Sequence, residues 1–269
     1  MKKLTAIILT LILALTLVSC GSGSGSKDAV VLKVGASPTP HAEILESVKE
    51  DLAKQGIDLQ VVEFDDYVLP NTGTEDGSLD ANYFQHTPYL EDFNATRGTH
   101  LVSVAVIHYE PLGLYPGKSS SLDVADGAVI GVPNDATNEA RALLLLEANG
   151  LLKLDPSAGL NATVLDIADN PKNLKIEEIE AAQITAHLAD LDLAIVNGNY
   201  AVQAGFKASD ALAIEDKDSE AANLYGNILV VKEGRENDPA ILALADALRT
   251  EKVRQFIEAN YEGIVVPKF

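Results

Sequence analysis

Val30-Val31-Leu32-Lys33-Val34-Gly35-Ala36, followed by Ser37-Pro38-Thr39-Pro40, is the stretch on which the fold turns. Its first part, rich in valine and leucine, reads as a strand. The prolines stop that strand, and the sequence predicts a helix with Thr39 as cap and Pro40 at its first position, where a missing N–H costs nothing. Ile44, Leu45, Val48 and Leu52 then recur at helical spacing and give the helix one apolar stripe. Gly56 supplies a stop, and Leu59 to Phe64 reads as a second strand. Strand, helix and strand in this order favour a parallel pair joined by a right-handed crossover, and so an α/β lobe.

Downstream, Val129-Ile130-Gly131-Val132 reads as a short buried strand. Pro133-Asn134-Asp135 opens a helix that runs to about Asn149 and stops at Gly150. Leu143 to Leu146 make that helix apolar nearly all round, so it is expected to pack on more than one side. Further strands are expected at Leu101 to Ile107, Leu191 to Val196 and Asn227 to Val231, with a last helix from Asp238-Pro239 through Leu248. The stretch from Glu110 to Ser121 holds Pro111, Gly113, Pro116, Gly117 and three serines and reads as a crossing between lobes. A return near Tyr225 to Val231 would give two crossings and enclose a cleft that closes by hinge motion.

Upstream, Lys2 and Lys3 precede an apolar run from Leu4 to Val18 that ends at Cys20. This reads as a secretory signal, and the run is shorter than the ~20 residues a membrane span needs. Leu17-Val18-Ser19-Cys20 resembles the lipobox of bacterial lipoproteins, in which the cysteine becomes the lipidated first residue. Cys20 is the only cysteine of the chain, and Gly21 to Ser26 follows it as a Gly-Ser tether. With that thiol lipidated no disulfide can form, so the exported part must rest on its core alone. The formal charge is −20, or −22 once the two leader lysines are gone, which disfavours phosphate-rich partners such as nucleic acid.

Two groups of residues are candidates for chemistry. Arg141 lies in the first turns of the helix entered through Asn134-Asp135-Ala136-Thr137-Asn138. A cation there opposes the helix dipole, yet beside free backbone N–H groups it makes a receptor for a carboxylate. The alternative is a solvated arginine paired with Glu139 or Asp135. The second group runs from Tyr67-Val68-Leu69-Pro70-Asn71 to Asp80-Ala81-Asn82-Tyr83-Phe84-Gln85-His86-Thr87-Pro88-Tyr89 and concentrates aromatic rings in a chain with six Phe, eight Tyr and no Trp. Such rings suit an apolar or thioether side chain, or are ordinary core and surface aromatics.

These segments carry a resemblance. Asp66 to Asn71, Asp80 to Leu90, Val132 to Asn138, Arg141 to Leu146, Asn170-Pro171-Lys172-Asn173-Leu174-Lys175, Leu193 to Asn197 and Tyr225-Gly226-Asn227 resemble, in order, the methionine-binding lipoproteins of bacterial ABC importers. The resemblance implies a two-lobed, periplasmic-binding-protein-like α/β fold with two crossings and a ligand cleft. It divides the chain into a signal peptide (1–19), a lipidated cysteine and tether (20–29), one lobe of 30–112 with 226–269, and a second lobe of 113–225. It implies that Tyr67, Phe84, His86 and Tyr89 line a side-chain pocket and that Arg141 grips the ligand carboxylate. Asn197 and Asn227 would bind the polar end of the ligand, and Glu110 would accept from its ammonium. The implied partners are methionine, a permease and ATPase complex, and a membrane reached through the lipid, with the protein monomeric, extracytoplasmic and without a cofactor. Relatives in the family take other ligands, among them a Gly-Met dipeptide. The asparagine pair of Asn197-Gly198-Asn199 and the Gly226 before Asn227 depart from the family pattern and leave the polar end open to a different arrangement.

Other function classes have less support. No G-x-S-x-G elbow or H-E-x-x-H is present, and no cysteine is left to act as a nucleophile, so an enzyme is not expected. A metal receptor would have to draw on His41, His86, His100, His108 and His187, which are scattered; His108-Tyr109-Glu110 is the nearest to a ligand pair, and no metal site is expected.

Overall fold

The computed structural model describes residues 29–218 and 220–269; the leader, Cys20 and the Gly-Ser tether lie outside the described residues. In chain order the first half holds β1 (Val30–Ala36), α1 (Glu43–Ala53), β2 (Ile57–Glu63), α2 (Leu69–Asp76), β3 (Ala81–His86), α3 (Thr87–Arg97) and β4 (Leu101–Tyr109). There follow β5 (Gly113–Pro116), β6 (Val129–Pro133), α4 (Ala136–Ala148), β7 (Lys153–Leu154), β8 (Ile167–Asp169), β9 (Lys175–Ile179), α5 (Ile184–His187), β10 (Leu193–Val196), α6 (Gly198–Gln203), β11 (Ala213–Ile214) and α7 (Glu220–Leu224). The chain ends with β12 (Gly226–Lys232), α8 (Pro239–Leu248), α9 (Glu251–Tyr261) and β13 (Val266–Pro267).

The strands form two main sheets, one per lobe. The first has the order β13-β4-β12-β3-β1-β2 and the second β11-β5-β10-β6-β9. β1 lies parallel to β2 in the predicted unit, with Val30 opposite Ile57 through Ala36 opposite Glu63. β1 is also parallel to β3, while β12 runs antiparallel between β3 and β4. In the second sheet β6 is parallel to β9 and β10, and β5 is antiparallel to β10 and β11.

The chain changes sheet twice, between Tyr109 and Gly113 and again between Ile214 and Gly226. Gly226 is aligned with Tyr109 in the first sheet, and Ile214 with Gly113 in the second. The two crossings therefore lie side by side at both ends, and the α/β architecture is two-lobed.

Three local expectations need correction. Thr39 has the extended backbone of a cap residue (φ −138°, ψ 142°) directly before Pro40, but its hydroxyl makes no capping bond. The residue before a proline is held extended, and a π-helical turn over Pro38–Ala42 leads directly into α1 at Glu43. The helix at Pro239 is not the last, because α9 follows after Thr250 and buries Val253, Ile257 and Tyr261. The aromatic segment contains an unforeseen strand: every residue of β3 is buried, the polar Asn82, Gln85 and His86 included. Those polar residues hid the strand from a reading based on apolar runs.

Glycine at two stops behaves as the sequence requires, with φ of +78° at Gly56 and +72° at Gly150. The stripe of Ile44, Leu45, Val48 and Leu52 is buried against the first sheet and α8, in a core that also takes in Ala194, Val196, Tyr200 and Ala201 of the second lobe. The second lobe has its own core around Leu112, Leu114, Ile130, Leu143, Leu146, Leu193 and Ile195. Among the described residues no helix is long and apolar enough to cross a membrane. Because Leu45 is fully buried and Leu165 is 91% exposed, Leu45→Ala should cost about 2–5 kcal/mol of unfolding free energy and Leu165→Ala no more than about 0.5. Urea titration of the two variants checks the contrast.

Candidate functional site

The cleft between the sheets gathers residues from both lobes and from the crossings. Tyr67 comes from the loop after β2, Phe84, Gln85 and His86 from the end of β3, Tyr89 from α3 and Asn227 from β12. Glu110 belongs to the first crossing. From the second lobe come Asn138 and Arg141 on α4 and Asn197, Gly198 and Asn199 at the start of α6. Together they line one cavity with about 340 Å³ of atom-free space. All eight residues singled out in the sequence (Tyr67, Phe84, His86, Tyr89, Glu110, Arg141, Asn197 and Asn227) are on that wall. Gln85, Asn138, Gly198 and Asn199 complete it.

One side of the cavity is aromatic. The rings of Tyr67, Phe84 and Tyr89 lie with centroids 5.7 to 6.1 Å apart, tilted or edge-on, as aromatic quadrupoles prefer. Tyr67 donates to Asn199 Oδ1 at 2.6 Å and Tyr89 to the Tyr67 carbonyl at 3.1 Å, so both hydroxyls are engaged. His86 precedes α3 and accepts from the Tyr89 N–H, while its Nε2 lies 3.2 Å from Asn138 Oδ1. It joins the lobes as a hydrogen-bonding wall.

The other side is polar, and Arg141 is tied down there. It is buried, and neither Glu139 nor Asp135 is its partner: Asp135 caps α4 through Asn138, and Glu139 accepts from the Val164 N–H. The partner is Glu215, which had no local sequence signal and lies 74 residues away. Arg141 donates through Nε to Oε1 at 3.1 Å and through Nη2 to Oε2 at 2.5 Å, a bidentate pair. Nη2 also donates to the Glu110 carbonyl, Nη1 to Asn138 Oδ1, and the Tyr225 ring covers the guanidinium at 4.2 Å. Burial works against this charge, but the charge and hydrogen bonds of Glu215, with Tyr109 and Tyr225 beside them, together hold the Arg141 pKa above its ordinary value. Glu215 accepts in addition from the Tyr109 hydroxyl and the Leu112 N–H, both at 2.8 Å.

Glu110 is the second carboxylate on this side and, unlike the half-buried Glu215, is buried. Its Oε1 accepts from His108 Nε2 at 2.7 Å and lies 3.3 Å from His41 Nε2, and its Oε2 accepts from the Asn199 N–H at 2.7 Å. Burial raises its pKa, against the lowering effect of His41, the Asn199 N–H and Arg141. Gly198 is what lets α6 approach: a Cβ there would meet Glu110 Cβ at 2.7 Å. His41 Nε2 also bonds Asn227 Oδ1 at 2.9 Å, and His108 Nδ1 bonds the Tyr83 hydroxyl. His41, His108 and Glu110 thus stand within 4.8 Å of one another, the only such triad of potential metal ligands among the described residues. The sequence did not anticipate that His41 joins the pair. Its contacts are those of a hydrogen-bonded network around a carboxylate. Of the other histidines His86 stands elsewhere on the wall, and His100 and His187 are exposed. Asn197 Oδ1 and Asn199 Nδ2 are buried without a hydrogen-bond partner.

Two expectations follow from these groups. Arg141→Ala would strand Glu215, and breaking such a pair from one side costs about 3–5 kcal/mol. The double variant Arg141→Ala/Glu215→Ala should lose less than Arg141→Ala alone, as read by urea denaturation.

The second expectation concerns pH. Burial lowers His41 to about 4 and His86 and His108 to about 3. An unfolded histidine titrates near ~6.5, so below that pH the unfolded chain takes up protons that the native one refuses. Stability present above that pH is lost as the pH falls towards the native values, by about 1.4 kcal/mol per pH unit for each histidine. Glu110, Asp135 and Glu139, raised by burial, act in the opposite sense. Comparing the native chain with His86→Gln isolates one histidine. Its pH slope should be shallower between about pH 6 and 4, and equal slopes would contradict the assignment.

Comparison with known proteins places the chain. A family model described as "NlpA lipoprotein" matches residues 32–269. The D-methionine-binding lipoprotein MetQ of Escherichia coli (strain K12) is 40% identical over 268 residues, covering 97% of this chain and 96% of that protein. A crystal structure of a lipoprotein from Ruminococcus gnavus superposes with a TM-score of 0.88 at 53% identity, over 90% of this chain and 100% of that one. A nutrient binding protein from Burkholderia cenocepacia, solved bound to methionine, superposes with a TM-score of 0.84 at 41% identity, over 88% of this chain and 100% of that one.

Proposed function

Because the chain belongs to the NlpA lipoprotein family, we propose that it captures methionine outside the cytoplasm and delivers it to the permease and ATPase of an ABC importer. In this reading Cys20 carries the lipid that anchors the protein, as a monomer, to the cell membrane. Residues 30–112 with 226–269 form one lobe and 113–225 the other. The observation that carries the reading is the convergence of an aromatic wall and a charged polar wall on one cavity between two lobes.

Methionine fits both walls by chemistry. Its thioether would lie among Tyr67, Phe84 and Tyr89, where sulfur gains from ring edges. Its carboxylate would face Arg141 and Asn138, and its ammonium Glu110, Asn197 and Asn227. His86 would hold the wall between them. The E. coli relative is named for D-methionine and the B. cenocepacia structure holds methionine, which makes both enantiomers worth testing. Another small amino acid or a dipeptide containing methionine is the same role with a different cargo.

The test is thermal unfolding of the full chain in detergent with L-methionine, D-methionine, Gly-L-Met and zinc. A ligand at about 100 times its Kd stabilises the native state by about 2.7 kcal/mol, a rise in Tm of roughly 5–10 °C for a chain of this size. A rise with methionine is expected. A rise with zinc and with no amino acid or dipeptide would instead favour the triad of His41, His108 and Glu110 as a metal receptor.

A further inference from the structure

The two crossings meet at both ends but are unequal in length. The first spans residues 110–112, between β4 and β5, and the second 215–225, between β11 and β12. The short one has no slack. In the longer one conformational freedom grows with every residue left untied, so the points at which it is fastened decide how closely it follows its neighbour. Its start is fastened by Glu215, which takes the Tyr109 hydroxyl and the Leu112 N–H. Towards its far end Ala222 and Tyr225 pack with Tyr109, and Gly226 is aligned with Tyr109 in the first sheet. Both crossings are therefore gathered around Tyr109.

Residues 266–269 close over the same point from the other edge. In β13, Val266 pairs with Tyr109 and Pro267 with His108, and the Lys268 N–H donates to the Ile107 carbonyl at 3.0 Å. The run is anchored on both sides. Before it, Ile264 and Val265 are buried in the first-lobe core. After it, the Phe269 carbonyl accepts from Arg254 of α9, whose guanidinium lies 4.8 Å from the centre of the Phe269 ring. Between these anchors the half-buried Lys268 turns its side chain onto the hinge. Its Nζ lies 5.9 Å from the centre of the Tyr109 ring and donates to Asn223 Oδ1 of α7 at 3.0 Å. One ammonium thus touches both crossings. None of residues 266–269 lines the cavity.

We propose that residues 266–269 form a strap across the hinge, in which Lys268 ties Asn223 of the second crossing to Tyr109 of the first and so favours the closed arrangement of the lobes. A swing that parts the lobes bends both crossings. While the second is fastened it bends only together with the first. Once it is released, the second lobe gains freedom to rock, and bonds across the seam such as the Asn199 N–H on Glu110 open more often. The strap acts on how long the cleft stays shut and not on what the cleft holds.

Lys268→Met removes the ammonium and keeps the pairing of β13, while Lys268→Arg keeps a cation that reaches Asn223. Hydrogen exchange of the full chain in detergent, without ligand and read by mass spectrometry, reports on the seam directly. Peptides over 197–203 should exchange about 3- to 10-fold faster in Lys268→Met, the worth of one hydrogen bond. Peptides over α1 and β6 should keep the native rate, and Lys268→Arg should restore it at the seam. Equal rates in the native chain and Lys268→Met overturn the strap. A rise shared by α1 and β6 overturns it too, because Lys268 is then a contributor to overall stability. Stopped-flow kinetics carry the test to the cargo and rest on the methionine reading above: L-methionine should leave Lys268→Met about 3- to 10-fold faster than the native chain, with association unslowed. If L-methionine leaves both at one rate, the proposal falls and the methionine reading stands. If it binds neither while the exchange result holds, the strap stands and the methionine reading falls.

Discussion

The bidentate contact between Arg141 and Glu215 is the constraint on which the rest of the cleft depends. It ties α4 of the second lobe to both crossings, since Glu215 also takes the Tyr109 hydroxyl and the Leu112 N–H, while Arg141 holds the Glu110 carbonyl and stacks on Tyr225. Through the carbonyl it fixes where the Glu110 side chain emerges, and through Glu110 it fixes how α6 abuts the first lobe. A buried ion pair seldom adds much stability over an apolar replacement. Its value here is geometric, because it holds four segments in one relation at the seam between the lobes.

Two kinds of buried polarity stand side by side in the first lobe, and they differ in how completely they are satisfied. Asn71, Thr74, Asn82 and Gln85 form a closed lattice between α2 and β3, in which each side chain meets another at 2.5 to 3.0 Å. That lattice needs nothing from outside and holds β3 in place behind the aromatic wall. The asparagines at the start of α6, both on the cavity wall, differ: Asn197 Oδ1 and Asn199 Nδ2 are buried without a hydrogen-bond partner. A buried amide end without a partner costs about 1–3 kcal/mol, a cost that only a ligand or water removes.

Much of this was legible in the sequence, for identifiable reasons. The parallel unit of β1, α1 and β2 announced itself by a valine-rich run, an apolar stripe at helical spacing and Gly56, all of them local signals. Asp135 as the cap of α4 and the crossing rich in proline and glycine after Glu110 were equally local. What escaped depends on contacts distant along the chain. Nothing about Ala213-Ile214-Glu215-Asp216 distinguishes Glu215 from the many other acids of the chain until α4 is brought against it. β3 was hidden because its polar residues are buried in a lattice made with another helix. His41 joined Glu110 and His108 only once the π-helical turn at 38–42 was folded against β12.

The paired crossings carry a mechanical consequence. Two short segments lying side by side flex readily across their common face and resist sliding past each other, so any parting of the lobes is a swing about one line through them. Tyr109, Leu112, Glu215 and Arg141 sit at that pivot, bonded to one another. Tyr67 with Asn199, Tyr200 with the Asp65 carbonyl, and His86 with Asn138 are the bolts that reach across from one lobe to the other and must be drawn. Three such neutral bonds amount to roughly 2–4 kcal/mol net, and the apolar packing of Ala194, Val196, Tyr200 and Ala201 against the first-lobe core and the Asn199 N–H on Glu110 add to what a swing must undo. A cargo that touches both walls therefore adds to a closure the protein already makes.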